Sequence, residues 1–258
     1  MVELGLVETR NLAQRMIMAG SVRVDGQMVL KSSHVVTEDS KIDLVEKQRF
    51  VSRGGEKLEG ALQAFGLTDI SGFSCADIGC STGGFTDCLL QHGADSVISV
   101  DSGHGDFHWK LRSDPRVTLL EHTNARSLIT LPKPVKLVSV DVSFISLRIL
   151  FPVIKGWLRE NGGIAITLIK PQFEAGREEA DKGRGVIRDP GIHLRVIREV
   201  LSDAEKEGFG VSGLIPSPLE GPKGNREFLA HLLFPGQPRP DLDHMIQCVV
   251  KKNDKTIN

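Results

Sequence analysis

Apolar positions along the chain follow two rhythms, and the change between them divides the sequence. Near the start, Leu12, Met16, Ile17 and Ala19 recur at helical spacing behind Thr9, a residue type whose hydroxyl caps helix N-termini. Gly20 is placed to stop that helix. Residues 22–29 then predict two short strands about the Asp25-Gly26 dipeptide, a strong hairpin signal. Residues 46–52 are polar and predict a connector. From residue 53 onward, strand-sized apolar runs alternate with helical ones. The expected strands are 74–78, 96–100, 118–121, 137–141, 164–169, 212–216 and 227–233, and the expected helices are 57–65, 84–92, 147–158 and 191–207. Such alternation implies an α/β domain with a largely parallel sheet and helices on both faces. The last two strands, joined by the loop around residues 216–225, predict an antiparallel pair at one edge. The expected organisation is a small α+β domain over 1–45, a connector over 46–52, an α/β domain over 53–235 and a Pro-rich tail over 236–258. The tail ends in a short helix and carries no chemistry.

Composition narrows the classes. The chain has 258 residues, enough for one full α/β domain and a small accessory one. Its 32 basic and 33 acidic residues nearly cancel, which argues against a large non-specific phosphate-binding surface and leaves local patches open. Cys75, Cys80, Cys88 and Cys248 show no metal-ligand spacing, so buried or incidental thiols in a reducing, cytoplasmic setting are expected. Charges among the first twenty residues argue against a signal peptide, and the apolar runs are too short to span a bilayer.

The first strand of the larger domain ends in Asp77-Ile78-Gly79-Cys80-Ser81-Thr82-Gly83-Gly84-Phe85-Thr86. A glycine-rich strand-to-helix turn lets a ligand approach the backbone and meet helix N-terminal amides. Asp101 ends the next strand, where an acid can grip a ribose diol. A dinucleotide fingerprint would need glycine where Ser81 stands. Residues 79–83 also match a G-x-S-x-G nucleophile elbow, but a hydrolase sheet needs more strands before the elbow than this chain provides. The third reading rests on the whole D-x-G-x-x-x-G-G-F-T string, which resembles FtsJ-type methyltransferases. That resemblance implies an S-adenosylmethionine cofactor and the seven-stranded methyltransferase variant of the doubly wound fold. It also implies cofactor contacts from Asp77, Gly79, Ser81, Thr82, Gly83, Gly84, Phe85, Asp101 and Asp141. Asn124, after the third strand, fits an adenine contact or a turn-shaping role equally well.

Lys57 opens the first helix, Asp141 and Lys170 end strands, and Glu227 opens the last strand. Each alone reads as a solvated charge. Together they match, in order, the Lys-Asp-Lys-Glu tetrad of ribose 2′-O-methyltransferases, and the strings around them resemble the TlyA family, some members of which carry the label haemolysin. A ribose hydroxyl is a weak nucleophile and must lose its proton as it attacks a sulfonium methyl in line with the departing sulfur. A lysine serves as base only when neutral, so its ordinary value near 10.4 has to fall. A second lysine and burial push it down, while Asp141 pushes it up. Lys170 is assigned the base role, with Asp141 and Lys57 orienting it and the hydroxyl. Glu227 is expected to hold Lys57 or the substrate ribose.

The N-terminal string "AQRMIMAGSVRVDGQMVLKSSHVV" resembles the small RNA-binding module shared by a small-subunit ribosomal protein, pseudouridine synthases and tyrosyl-tRNA synthetases. This implies RNA contacts from Arg10, Arg15, Arg23 and Lys31, with Arg53 beyond the connector. Such modules begin with a further helical stretch, so the expectation here is either a misassigned start or a shortened first helix. Arg177, Lys182, Arg184 and Arg188 lie in a charged, glycine-rich stretch expected to form a mobile loop beside the site. Some relatives carry Arg-x-Trp-Val before "SRG", where this chain has Arg49-Phe50-Val51.

The family resemblance implies ribosomal RNA, at cytidines of either subunit, as partner and substrate. A base-directed methyltransferase is the nearest rival, but "DVSF" lacks the prolines of an amino-methylating motif and no cysteine follows a proline at a strand end. A cytolysin would require a leader and a membrane-inserting segment, neither of which the sequence suggests.

Overall fold

The structure, a computed structural model, describes residues 1–18, 21–44, 49–158 and 162–252. Two compact units divide between Arg49 and Phe50. In the first, helix α1 (Arg10–Met18) opens with Thr9, whose hydroxyl accepts from Leu12 N–H at 3.2 Å. The expected stop at Ala19 and Gly20 lies outside the described residues. Strands β1 (Val22–Val24) and β2 (Gln27–Met28) pair antiparallel across the Asp25-Gly26 turn. A third strand, β3 (Ile42–Leu44), pairs with the other edge of β1. Three residues are too few to show an alternation in sequence, so β3 was not legible there.

The second unit is a seven-stranded sheet flanked by helices. In chain order its elements are α2 (Gly54–Ala64), β4 (Ser74–Ile78), α3 (Gly84–Gln91), β5 (Ser96–Val100), α4 (Trp109–Arg112), β6 (Val117–Leu120), β7 (Leu137–Val140), α5 (Phe151–Leu158), β8 (Gly163–Ile169), α6 (Pro171–Glu174), α7 (Arg177–Lys182), α8 (Pro190–Lys206), β9 (Gly210–Pro216), β10 (Phe228–Phe234) and α9 (Leu242–Lys252). The strand order is β6-β5-β4-β7-β8-β10-β9. Neighbours from β6 to β8 are parallel, while β10 runs antiparallel to both β8 and β9. The expected α/β fold, mostly parallel with an antiparallel element at one edge, is the fold observed.

Parallel strands covered on both faces bury nearly every side chain, which explains their continuous apolar runs. Alternate residues of β4 and β5 feed two cores. Ala76, Ile78, Ile98 and Val100 join α5, α8 and α9, whereas Cys75 and Val97 join α2 and α3. Two segments pack more than their sequence suggested. Phe50, within the expected connector, is buried, and the N–H of Val51 donates to Asp87 in α3 at 2.9 Å. Residues 45–48 of that connector lie outside the described residues. The expected tail forms the three-turn α9, whose Leu242, Ile246 and Val250 complete the core over α8 and β9.

The topology changes direction between β4, which runs to β5 on one side and β7 on the other. The carboxyl ends of β4, β5, β7 and β8 therefore share one rim, where open α/β sheets form their clefts.

Candidate active site

At the end of β4 the chain turns through Gly79 (φ 80°) and Ser81 (φ 47°) into α3. A Cβ on Gly79 would lie 2.3 Å from the carbonyl oxygen of Asp141, so only glycine lets the β4 and β7 ends approach this closely. Asp101, at the end of β5, clamps the turn. Its Oδ2 accepts from Ser81 N–H at 2.8 Å and its Oδ1 from Gly103 N–H at 2.7 Å. Those bonds fix the carboxylate while each oxygen keeps a lone pair free for a ligand hydroxyl. A cavity of about 370 Å³ opens above, lined in part by Gly79, Ser81, Asp101, Phe107, Asn124 and Asp141. Asn124 also caps the short turn after β6, its Oδ1 accepting from Arg126 N–H at 3.0 Å. Both roles considered for it are thus compatible with its position. Glu121, on the same wall, accepts from both terminal nitrogens of Arg112 at 2.8 and 2.9 Å, and this pairing holds its carboxyl down at about 2.

A second cavity, of about 470 Å³, lies on the other side of the same turn. Arg53, Lys57, Thr82, Gly84, Phe85, Asp141, Ser143 and Lys170 contribute to its lining. Gly79, Cys80, Ser81, Asp141 and Ser143 line both cavities, so the two meet at the β4 and β7 ends. Burial pushes the Cys80 thiol up, which disfavours the thiolate that a covalent attack on a pyrimidine needs.

The four charged residues form two pairs. The Lys57 ammonium, on α2, donates to Glu227 Oε2 at 2.5 Å, and the Lys170 ammonium, after β8, lies 2.6 Å from Asp141 Oδ1. Lys170 also donates to the hydroxyl of Ser143 at 3.1 Å. The β8–β10 ladder sets the pairs side by side: Phe228 opposes Ile169, and Glu227 and Lys170 are the next residues beyond that rung. Glu227 is fully buried and Gly221 passes against it, a Cβ there lying 2.1 Å from Oε1.

Some expected contacts fall elsewhere. Asp77 was expected at the cofactor. Instead it is fully buried within the sheet, accepting from Thr86 Oγ1 at 2.7 Å and Ser139 Oγ at 3.0 Å. It stands in register with Ser99 and Ser139 on the neighbouring strands, a polar row crossing an apolar sheet. Burial raises its carboxyl to about 7, against the hydrogen bonds that hold it down. Gly83 lines neither cavity; it begins α3 against Leu111 and Phe107. Thr82, Gly84 and Phe85 face the lysine cavity, not the one containing Asp101.

In the first unit, Arg10, Arg15, Arg23 and Lys31 are all exposed, and Arg10 and Lys31 border one groove of about 590 Å³. In the second, the stretch expected to be a mobile loop is tied down. Val186 and Ile187 are buried, and the Asn225 side chain accepts from Ile187 N–H at 3.1 Å and donates to Gly185 O at 2.8 Å. Lys182, Arg184 and Arg188 remain exposed there.

Sequence reasoning passed over five residues beside the lysines. Ser143 holds Lys170. Gln172, in α6, donates to Glu227 Oε1 at 3.3 Å. Glu174 accepts from Ser146 Oγ at 2.7 Å and Leu147 N–H at 2.8 Å, fixing the segment that follows Asp141. Phe144 adopts φ 63° and leaves its ring 90 % exposed, 4.8 Å from that of Phe173. Its signal was the exposed aromatic in "DVSF", a string weighed only against a base-methylating motif.

The profile of the FtsJ-like methyltransferase family matches residues 50–234, and that of the S4 domain matches residues 1–42. The chain belongs to the FtsJ-like methyltransferase family. It is 41 % identical over 236 residues to the 16S/23S rRNA (cytidine-2′-O)-methyltransferase TlyA of Mycobacterium tuberculosis, covering 90 % of this chain and 87 % of that protein. It is 42 % identical to Hemolysin A of Brachyspira hyodysenteriae over 234 residues, covering 89 % and 96 %. A solved structure described as a hemolysin of Streptococcus thermophilus superposes with a TM-score of 0.77 at 42 % identity, covering 97 % of this chain and 92 % of that one. Among the described residues, no helix is long and apolar enough to cross a membrane.

Proposed function

We propose that the chain methylates a ribose 2′-hydroxyl of ribosomal RNA, at a cytidine, with S-adenosylmethionine as methyl donor. The observation that carries this reading is the meeting of the two cavities. A ligand-binding cleft built on Asp101 and the glycine turn opens, across Asp141 and Ser143, onto a cleft lined by Lys57 and Lys170.

The residues present fit the cofactor. Gly79 keeps the turn flat where a side chain would collide with Asp141 O, and the Asp101 carboxylate is fixed by two backbone amides with lone pairs to spare. Asp101 would hold the ribose diol, and Asn124 and Phe107 would border the base. When bound, S-adenosylmethionine supplies an electrophilic methyl group on a sulfonium. The protein's own task is then to bring a ribose hydroxyl into line and to take its proton.

Lys57, held by buried Glu227, orients the hydroxyl. Lys170, held at the junction of the cavities by Asp141 and Ser143, takes the proton. Phe144 offers an exposed ring against which a base can stack once its nucleotide leaves the helix. The first unit and Arg53 supply contacts to RNA phosphates through Arg10, Arg15, Arg23 and Lys31. A reaction on ribosomal RNA places the protein in the cytoplasm.

The test is methyl transfer from labelled cofactor to ribosomal RNA, with the modified positions mapped by resistance of the 2′-O-methylated ribose to alkaline cleavage. Wild-type protein should transfer label to a position at which a 2′-deoxy substitution abolishes the transfer, read by incorporated label because the deoxy sugar also resists alkali. Lys170→Ala should lower the rate roughly 10²–10⁴-fold, the usual worth of a positioned base, while cofactor affinity stays within about two-fold. Full activity on the 2′-deoxy substrate would make this a base-directed enzyme.

A further inference from the structure

Gln172 has no assigned part in the reaction, yet its surroundings single it out. It sits in α6, the single turn that begins immediately after Lys170 with Pro171 at its start. Its side chain is 9 % exposed as a residue and points its amide nitrogen at Glu227 Oε1, 3.3 Å away. The other oxygen of that carboxylate takes the Lys57 ammonium at 2.5 Å. The amide's own oxygen, Oε1, is buried and has no hydrogen-bond partner among the described residues. Turning the amide over would aim that oxygen at a buried carboxylate, so the observed orientation is the one electrostatics selects. A buried carbonyl left without a donor is a cost to folding. An apolar side chain of the same length would remove that cost. The donor in turn satisfies a buried carboxylate oxygen, so glutamine serves both the fold and the orientation of Glu227, and the rate of methylation separates the two.

The turn also couples two distances. Lys170 and Gln172 are two residues apart on a rigid, proline-started turn, and each reaches a different carboxylate, Asp141 or Glu227. Movement of the Lys170 backbone would carry the Gln172 donor with it.

We propose that Gln172 is a positioning residue for methyl transfer, which fixes the rotamer of Glu227 and through it the place of the Lys57 ammonium relative to Lys170. The proposal rests on the reading of the site given above. Gln172 contacts neither the reacting atoms nor the cofactor cleft; it acts only through Glu227.

The experiment compares Gln172→Met and Gln172→Leu with wild type in four measurements: melting temperature, cofactor affinity, KM for RNA and single-turnover methylation rate. Each variant deletes both the donor and the orphaned oxygen. The rate should fall roughly 10–100-fold, the scale of a displaced positioning group. Cofactor affinity and KM for RNA should stay near their wild-type values, while the melting temperature falls modestly because a buried Glu227 oxygen loses its donor. Because the residue acts through Glu227, adding Gln172→Met to Glu227→Gln should lower the residual rate no further, a failure of additivity that marks direct coupling. Cofactor affinity and KM for RNA that worsen in step with the rate in both variants would make the amide merely structural and overturn the proposal. So would an undiminished rate, or effects that multiply in the double variant. A wild-type protein that methylates no RNA would instead sink the functional reading itself, so the two failures are distinguishable.

Discussion

The two lysine–carboxylate pairs have nearly the same length, 2.5 Å for Lys57–Glu227 and 2.6 Å for Lys170–Asp141, yet they occupy different surroundings. Glu227 is wholly buried and both of its oxygens are taken, by Lys57 and Gln172. The side chain of Asp141 is 21 % exposed at the junction of the cavities, and Lys170 has a second, neutral partner in Ser143. One pair is an anchor closed on itself. The other opens on the space where a substrate hydroxyl would stand. Equal distance does not mean equal role: the burial and the remaining partners decide which ammonium is held and which is placed to exchange a proton.

Removing each acid in turn should break the pairs unequally. Glu227→Ala strands a mostly buried ammonium and should cost about 3–5 kcal/mol in urea denaturation. Asp141→Ala leaves an equally buried Lys170 with Ser143 as a remaining partner, beside a carboxylate site that already reaches water, and should cost less, about 1–3 kcal/mol, while still abolishing methylation. Equal destabilisation by the two variants would erase the proposed difference between anchor and working pair.

On the open side, Asp101→Ala should weaken S-adenosylmethionine binding roughly 10–100-fold by calorimetry, as expected for the loss of charged hydrogen bonds. It should leave RNA affinity unchanged. If RNA binding falls in step, the two cavities are not separate subsites.

Beneath the junction, Asp77 offers a smaller effect with a definite sign. Its carboxyl is raised from 3.8 to about 7 by burial, so its contribution to stability is fully present at low pH and is lost as pH rises through about 7. Between pH 5.5 and 8.5 the loss should be about 2 kcal/mol, accrued over the roughly one and a half pH units between 5.5 and the folded value at 1.36 kcal/mol each, with no further loss above it. In Asp77→Asn that part of the pH dependence should vanish in urea titrations at the two pH values. A wild type equally stable at both would contradict it.

The same contrast explains what could be read from sequence. The strands of the larger sheet were legible because both faces are covered, which forces long apolar runs at nearly the observed limits. A short helix was expected in the Pro-rich tail, but its packing was not legible, because the apolar positions of α9 gain meaning only against α8 and β9. The glycine turn and the four charged residues were legible because strand ends and family motifs mark them. Asp77 was misplaced because its string belongs to the motif while its side chain points into the sheet. The serines in register with it, Ser99 and Ser139, were the available clue. Ser143, Gln172 and Glu174 left no signal, since each matters only through a residue far away in the chain.

Replacing each lysine by arginine tests the division of labour most directly. Arginine keeps the positive charge and donates hydrogen bonds through its own planar fork, but it cannot give up its proton in a protein. With single-turnover methylation as the readout, Lys57→Arg should retain activity within roughly ten-fold, because anchoring and orienting need only the cation. Lys170→Arg should lose at least roughly 10²-fold, the lower bound for deleting a base. The reverse order, with Lys170→Arg the more active enzyme, would contradict the account.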